Sequence, residues 1–230
     1  MEVLIIVLIV AAVLYFKFAA DPKELKNRSK GRNENQKKAL RYFLVDDSGC
    51  LGFLKKTVKD EEYDALVKSV LNSFNSKQKA MAKIGLDESE LKEIDPVHFA
   101  GYVFGDNNSF TKRGKDNLYR SSKYEICWLF FSSTQVNCYK FAFNLDEDGK
   151  KETTEEYFYK DITNFSTSSD TVETPYWDFK QNKTILENVD SNRFQLTVSG
   201  DKFYASLVQN EYTERAIQAM KAKLREKKNT

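Results

Sequence analysis

The chain has 230 residues, room for one sizeable domain, and its 36 Lys+Arg against 34 Asp+Glu leave a net charge of only +2. That balance argues against a generic nucleic-acid binder, and 41% hydrophobic residues argue against wholesale disorder. Three widely spaced cysteines (Cys50, Cys127, Cys138) and a single histidine, His98, exclude a disulfide-dense scaffold, a Cys-rich zinc module and a His-rich metal site.

The run from Val3 to Phe16, VLIIVLIVAAVLYF, is uninterrupted apolar or aromatic. Continued to Ala20 it would make roughly 27 Å of helix at ~1.5 Å per residue, close to the hydrocarbon thickness of a bilayer. No Lys or Arg precedes it, so it reads as an uncleaved transmembrane anchor rather than a signal peptide. Nine positive residues between Lys17 and Arg41 face only Asp21, Glu24 and Glu34. The positive-inside rule then places the N-terminus outside and the rest in the cytoplasm, as a single-pass protein of the cell membrane. Residues 21–37 read as a basic linker. Its Lys23, Lys26, Arg28 and Lys30 are candidates for contact with anionic headgroups.

Residues 38–95 read as helical. Leu40, Phe43 and Leu44 form a short seam. Tyr63, Leu66, Val67, Val70, Leu71 and Phe74 recur with a 3.6-residue period, with Asp60, Glu61 and Glu62 at the favourable N-terminal end. A helix through Ala80, Met81 and Ile84 is expected to stop at Gly85. Another is expected from an Asp87 N-cap and to end before Pro96.

From residue 96 onward, seven short strands are expected: 97–104, 122–131, 135–144, 154–161, 184–188, 193–199 and 202–208. Tyr124, Ile126, Trp128 and Phe130 alternate onto one face. Thr163–Thr171 reads as a Ser/Thr-rich loop open to phosphorylation. A helix with the seam Ala216, Ile217, Met220 and Leu224 closes the chain.

The stretches Trp128–Phe143, Tyr157–Ser166 and Phe194–Leu207, followed by Ala216–Leu224, resemble bacterial membrane-anchored proteins with a pleckstrin-homology-like domain. That resemblance implies an α+β fold: an antiparallel barrel or sandwich of about seven strands closed by the C-terminal helix, over residues 96–230. It implies a non-enzymatic binding or scaffolding module for a protein partner or anionic lipid, with no cofactor. A basic loop between the first strands is the usual headgroup site, which here points to Lys112, Arg113 and Lys115.

Three further constellations stand beside this reading. Asn144, Asp146, Asp148 and Glu155 have loose EF-hand spacing around Gly149, a weak calcium alternative to a hairpin turn. His98 lacks any nucleophile context, and Cys127 and Cys138 read as reduced core thiols. The competing functions are a membrane-anchored enzyme and a self-assembling structural protein whose helices at 59–94 pack on a second copy.

Overall fold

A computed structural model describes residues 21–46, 55–87, 94–181 and 183–228. Helices α1 (Lys23–Arg28), α2 (Glu34–Leu44), α3 (Asp60–Ser73) and α4 (Ser76–Ile84) come first. Nine strands follow: β1 (Ile94–Tyr102), β2 (Thr111–Arg113), β3 (Tyr119–Ser121), β4 (Lys123–Phe131), β5 (Gln135–Asn144), β6 (Lys150–Phe158), β7 (Ile162–Asp178), β8 (Lys183–Val198) and β9 (Asp201–Ser206). Helix α5 (Glu211–Lys228) ends the described chain.

The sequence explains the helices locally. Asn33 accepts a hydrogen bond from the Gln36 backbone while the Gln36 side chain accepts from Asn33, a reciprocal cap that starts α2. The expected stripe on α3 is the buried one, with Tyr63, Leu66 and Val67 deepest. Helix α4 stops at Gly85, whose φ of +74° suits glycine.

The strands form two sheets, β1-β4-β5-β6 and β3-β2-β7-β8-β9. The first is the central layer. Even-numbered β4 residues Ile126 and Phe130 pack with Tyr139, Phe141 and Phe143 beneath α1–α4. Odd-numbered Cys127, Leu129 and Phe131 face the second sheet, together with Phe99, Phe165, Phe194 and Leu196, and α5 adds Ile217 and Met220. Strands β4 and β5 are therefore apolar on both faces, because both faces are covered. Glu125 Oε1 accepts from Ser206 N at 2.6 Å and pins β9 to β4. At Gly101, an added Cβ would lie 3.2 Å from the Leu207 backbone nitrogen, a tight contact that the close approach of β1 to the end of β9 avoids with a glycine.

This architecture corrects the seven-strand, pleckstrin-homology-like expectation. Nine strands lie in two sheets, and β2 joins β7 in parallel at Thr111–Tyr176. The stretch read as a Ser/Thr loop belongs to the 17-residue β7, and two expected strands fuse into the 16-residue β8. Threonine suits an extended backbone, and the β8 ladder supplies the hydrogen bonds that polarity alone did not reveal. Strand β1 includes Pro96 beside a bulge, a placement that a rim strand tolerates.

The single-pass membrane placement, with its outside N-terminus and cytoplasmic domain, is corrected as well. No helix among the described residues is long and apolar enough to cross a membrane; the anchor was read on residues 1–20, which lie outside the described residues. Part of the basic run taken as a linker is helical instead: Leu25 on α1 is buried, and Arg41 on α2 grips Asp21 through two hydrogen bonds of 2.5 and 2.7 Å. The helix expected from Asp87 falls largely on residues 88–93, outside the described residues.

Candidate functional site

The first turn of α3 places Asp60 and Asp64 one helical turn apart on the side that meets the β2–β3 hairpin. Two carboxylates at this spacing repel each other unless a cation intervenes. Arg120, on β3 and with a side chain only 4% exposed, is that cation for Asp64, while Asp60 is held by Tyr42 and the Lys115 backbone. Its Nε and Nη2 donate to the two oxygens of Asp64 at 2.8 and 2.7 Å. Its Nη1 and Nη2 also donate to the two oxygens of Asp116 at 3.0 and 2.8 Å. Such double fork pairing is geometry that Lys cannot reproduce.

Tyrosines complete the web. Tyr102 donates to Asp64 Oδ1 at 2.8 Å, Tyr42 donates to Asp60 Oδ1 at 2.8 Å, and Tyr63 donates to the Ser121 carbonyl at 2.7 Å. The Tyr42 and Tyr63 rings stack at 4.3 Å. Burial raises the Asp64 pKa, but the bonds from Arg120 and Tyr102 outweigh it and hold the carboxyl below its usual range. The Arg120 bond holds Asp116 at about 2. Burial first, then the Asp64 charge and hydrogen bond, push the Tyr102 hydroxyl well up.

The hairpin turns through Gly114–Leu118, with Gly114 N donating to Leu118 O at 2.8 Å and Asn117 at a φ of +65°. A Cβ at Gly114 would collide with Arg120 Nη1 and would lie 2.6 Å from Asp116 Oδ1 and 2.7 Å from Asp60 Oδ2. A side chain at Gly114 would therefore push the ends of these three side chains aside and disturb the web. Lys115 N donates to Asp60 Oδ2 at 2.7 Å, so the turn backbone is tied to α3 as well.

This hairpin forms one wall of an open groove of about 1430 Å³. Asp46, the segment leading into α3, the start of α3 and the β7–β8 tip form the rest. Lys112, Arg113 and Lys115 all line it, so the structure brings these three expected residues together. Lys112 Nζ donates to the Tyr42 carbonyl at 2.8 Å and lies 4.7 Å from the Tyr42 ring centre. Arg113 lies over the Tyr119 ring, whose hydroxyl donates to Glu187 at 2.8 Å. Asp60, Asp116, Asp178 and Glu187 line the same groove, together with Val58, Ile185 and Leu186. Leu186 is 59% exposed.

The other expected cations do not join this site. Lys23, Lys26, Arg28 and Lys30 are exposed on or just after α1 and do not line the groove. Arg28 pairs with Glu24 at 2.5 Å and lies over the Phe110 ring.

The calcium alternative does not assemble, since Glu155 pairs with Cys138 while Asn144 closes the turn with Gly149. Six residues of strand separate them, about 20 Å at ~3.4 Å each. The helical layer holds the turn's acids: Arg32 pairs with Glu147 at 3.2 Å, and Gln36 donates to Asp148 at 2.8 Å. No group of three or more His, Cys, Asp or Glu suited to a metal occurs among the described residues. Asp146 is 5% exposed with one oxygen unpartnered, and burial raises its pKa.

His98 packs on Trp128 and lies 3.4 Å from the Tyr212 hydroxyl, with its pKa lowered by burial. Cys127 and Cys138 are fully buried, and burial raises both thiols.

The acids that share the groove with the expected cations were not singled out as its partners. The signal was present in part, since an aspartate pair at Asp60 and Asp64 calls for a cation. Nothing local says that this cation is Arg120, 56 residues away. Among known proteins, no family model, no curated sequence and no solved structure matches the chain.

Proposed function

We propose that this chain is a binding module whose hairpin groove holds an extended segment of a protein partner. The observation that carries this reading is the groove itself: Lys112, Arg113 and Lys115 line it together with Asp116, Asp178 and Glu187 and with Ile185 and exposed Leu186. A headgroup site concentrates one sign of charge. Walls of both signs over an apolar strip suit a peptide whose side chains alternate in charge and anchor an aliphatic or aromatic residue. The Arg120 web beneath keeps the wall in place before the partner arrives, which lowers the cost of ordering on binding.

Photo-crosslinking in the host cell tests the reading. A photoreactive residue at Leu186 is expected to trap a recurrent protein that is lost when Arg113→Glu and Lys115→Glu are added. The same residue at exposed Val208 should not trap it. Sedimentation of the protein with phosphatidylcholine vesicles, with and without phosphatidylserine, supplies the rival outcome. Phosphatidylserine-dependent binding abolished by the same double variant, with no adduct at Leu186, assigns the groove to anionic headgroups and overturns the peptide reading.

A further inference from the structure

Strand β6 ends the order β1-β4-β5-β6, so one long side bonds β5 and the other, among the described residues, is the unpaired rim of the central sheet. The opposite rim, β1, is covered at its end, where Val208 N donates to Ala100 O at 3.2 Å. Residues 150–156 make no backbone hydrogen bond to any element except β5 among the described residues. Most of β6 is exposed, and it is nine residues long.

Its hydrogen-bonding direction follows from its register. Asn144 N donates to Gly149 O, and Tyr159 N donates to Thr134 O, both in line with the β5–β6 ladder. The hydrogen-bonded pairs of that ladder therefore include Lys151, Thr153 and Glu155. Lys150, Glu152, Thr154 and Glu156 turn their N–H and C=O groups outward.

A second β6 added antiparallel in the same sheet must place outward groups opposite outward groups. The twofold axis then passes through a residue of the strand, which limits the registers to a few. An axis at Lys151, Glu152 or Glu155 sets that charge against its own copy. An axis at Thr154 sets Glu152 against Glu156 twice. An axis at Thr153 gives Lys151–Glu155 and Lys150–Glu156, each twice, with no like pair. Opposite charges directly across a ladder stabilise it and like charges destabilise it. Charges that guard a rim against pairing would clash in every register; here one register is complementary throughout.

We propose that β6 pairs with β6 of a second copy of this chain, about an axis through Thr153, and joins the two central sheets. The pairing strand contributes none of the residues that line the hairpin groove.

Disulfide trapping in the full chain, in a Cys50→Ser background, tests the register. The remaining Cys127 and Cys138 are fully buried. Thr153→Cys would face its copy in a non-hydrogen-bonded pair at about 4.5 Å between Cα atoms, within disulfide reach. Lys151→Cys would lie about 14 Å from its copy, four residues along the strand. A covalent dimer at Thr153→Cys and none at Lys151→Cys is expected. No dimer at Thr153→Cys, or equal dimer at both, overturns the proposal.

Charge exchange tests the same register without cysteines. Lys150→Glu with Lys151→Glu, and separately Glu155→Lys with Glu156→Lys, should each sediment as monomer. Their equimolar mixture should regain the dimer, because every pair is again opposite in sign. This recovery also shows that both variants are folded. Variants that remain dimeric alone, or a mixture that stays monomeric, overturn it.

Discussion

The two faces of the central sheet are held by different physics. Toward β7–β9 the contact is mainly apolar: Phe99 stacks on Phe194 at 4.7 Å, Leu129, Leu196 and Met220 fill the space, and the charged Glu125 and Lys140 each bond to the β9 backbone, at Ser206 and Tyr204. Toward the helices an apolar layer is also present, but its seam with the β2–β3 hairpin runs through Arg120, Asp64, Asp116 and three tyrosines. Burial of apolar surface is non-directional and tolerates small rearrangements. The ionic web has directional bonds and fixes one placement of the hairpin on α3. The candidate groove lies on the side where geometry is specified, and the sandwich interior supplies bulk stability.

The largest effects should separate the two faces by their pH dependence. Phe194→Ala removes a fully buried ring from the apolar face and is expected to cost about 3–5 kcal/mol, read by urea unfolding. Arg120→Ala leaves the partly exposed Asp64 and Asp116 carboxylates without their cation and is expected to cost about 1.5–3 kcal/mol by the same assay, less than a fully buried pair because water reaches both. Asp64 and Asp116 have lowered pKa values, so their stabilisation is full above the unfolded value and is lost as pH falls through the folded one, about 2 for Asp116. Phe194→Ala should keep that acid-side decline, whereas Arg120→Ala should flatten it. Equal acid profiles in the two variants would break the comparison.

A smaller effect tests backbone contact. Gly101→Ala presses a methyl on the Leu207 backbone, and a loss of about 1–3 kcal/mol is expected from thermal unfolding.

Asp146 runs in the opposite sense from Asp64. Its raised pKa means that the folded state gains relative stability as pH falls through that value, so the buried carboxylate is a burden above it. Asp146→Asn should therefore raise stability by about 1 kcal/mol near neutral pH and lose the advantage in acid, measured by unfolding across pH. The smallest change is expected for Leu186→Ser in the groove, within about 0.5 kcal/mol of the parent chain, because that side chain is mostly exposed. A large loss there would make Leu186 a packing residue rather than a contact for a partner.

Periodicity made α3, α4 and α5 legible, because an amphipathic helix writes its buried face at a 3.6-residue spacing. Strands β4 and β5 were legible for a related reason: alternation and continuous apolarity mark strands covered on one or both faces. Strand β7 was not, because Ser168–Thr171 is largely exposed and carries no burial pattern, while the β8 ladder that defines it lies in another part of the chain. In the groove, the cluster Lys112, Arg113 and Lys115 is local and was visible. Of its acids only Asp116 is local; Asp60 comes from α3 and Asp178 and Glu187 from the β7–β8 tip, and spacing along the chain does not bring those together.

The sequence by itself determined the helical faces, the core-lining strands and the basic hairpin, since each depends on residues within a few positions of one another. Only the tertiary structure decided that the central sheet is covered on both faces, that Arg120 links Asp64 to Asp116, and that a charged strand is left on the rim. Those outcomes depend on which distant surfaces meet, and pairing across 50 or more residues is set by the packing of the whole chain.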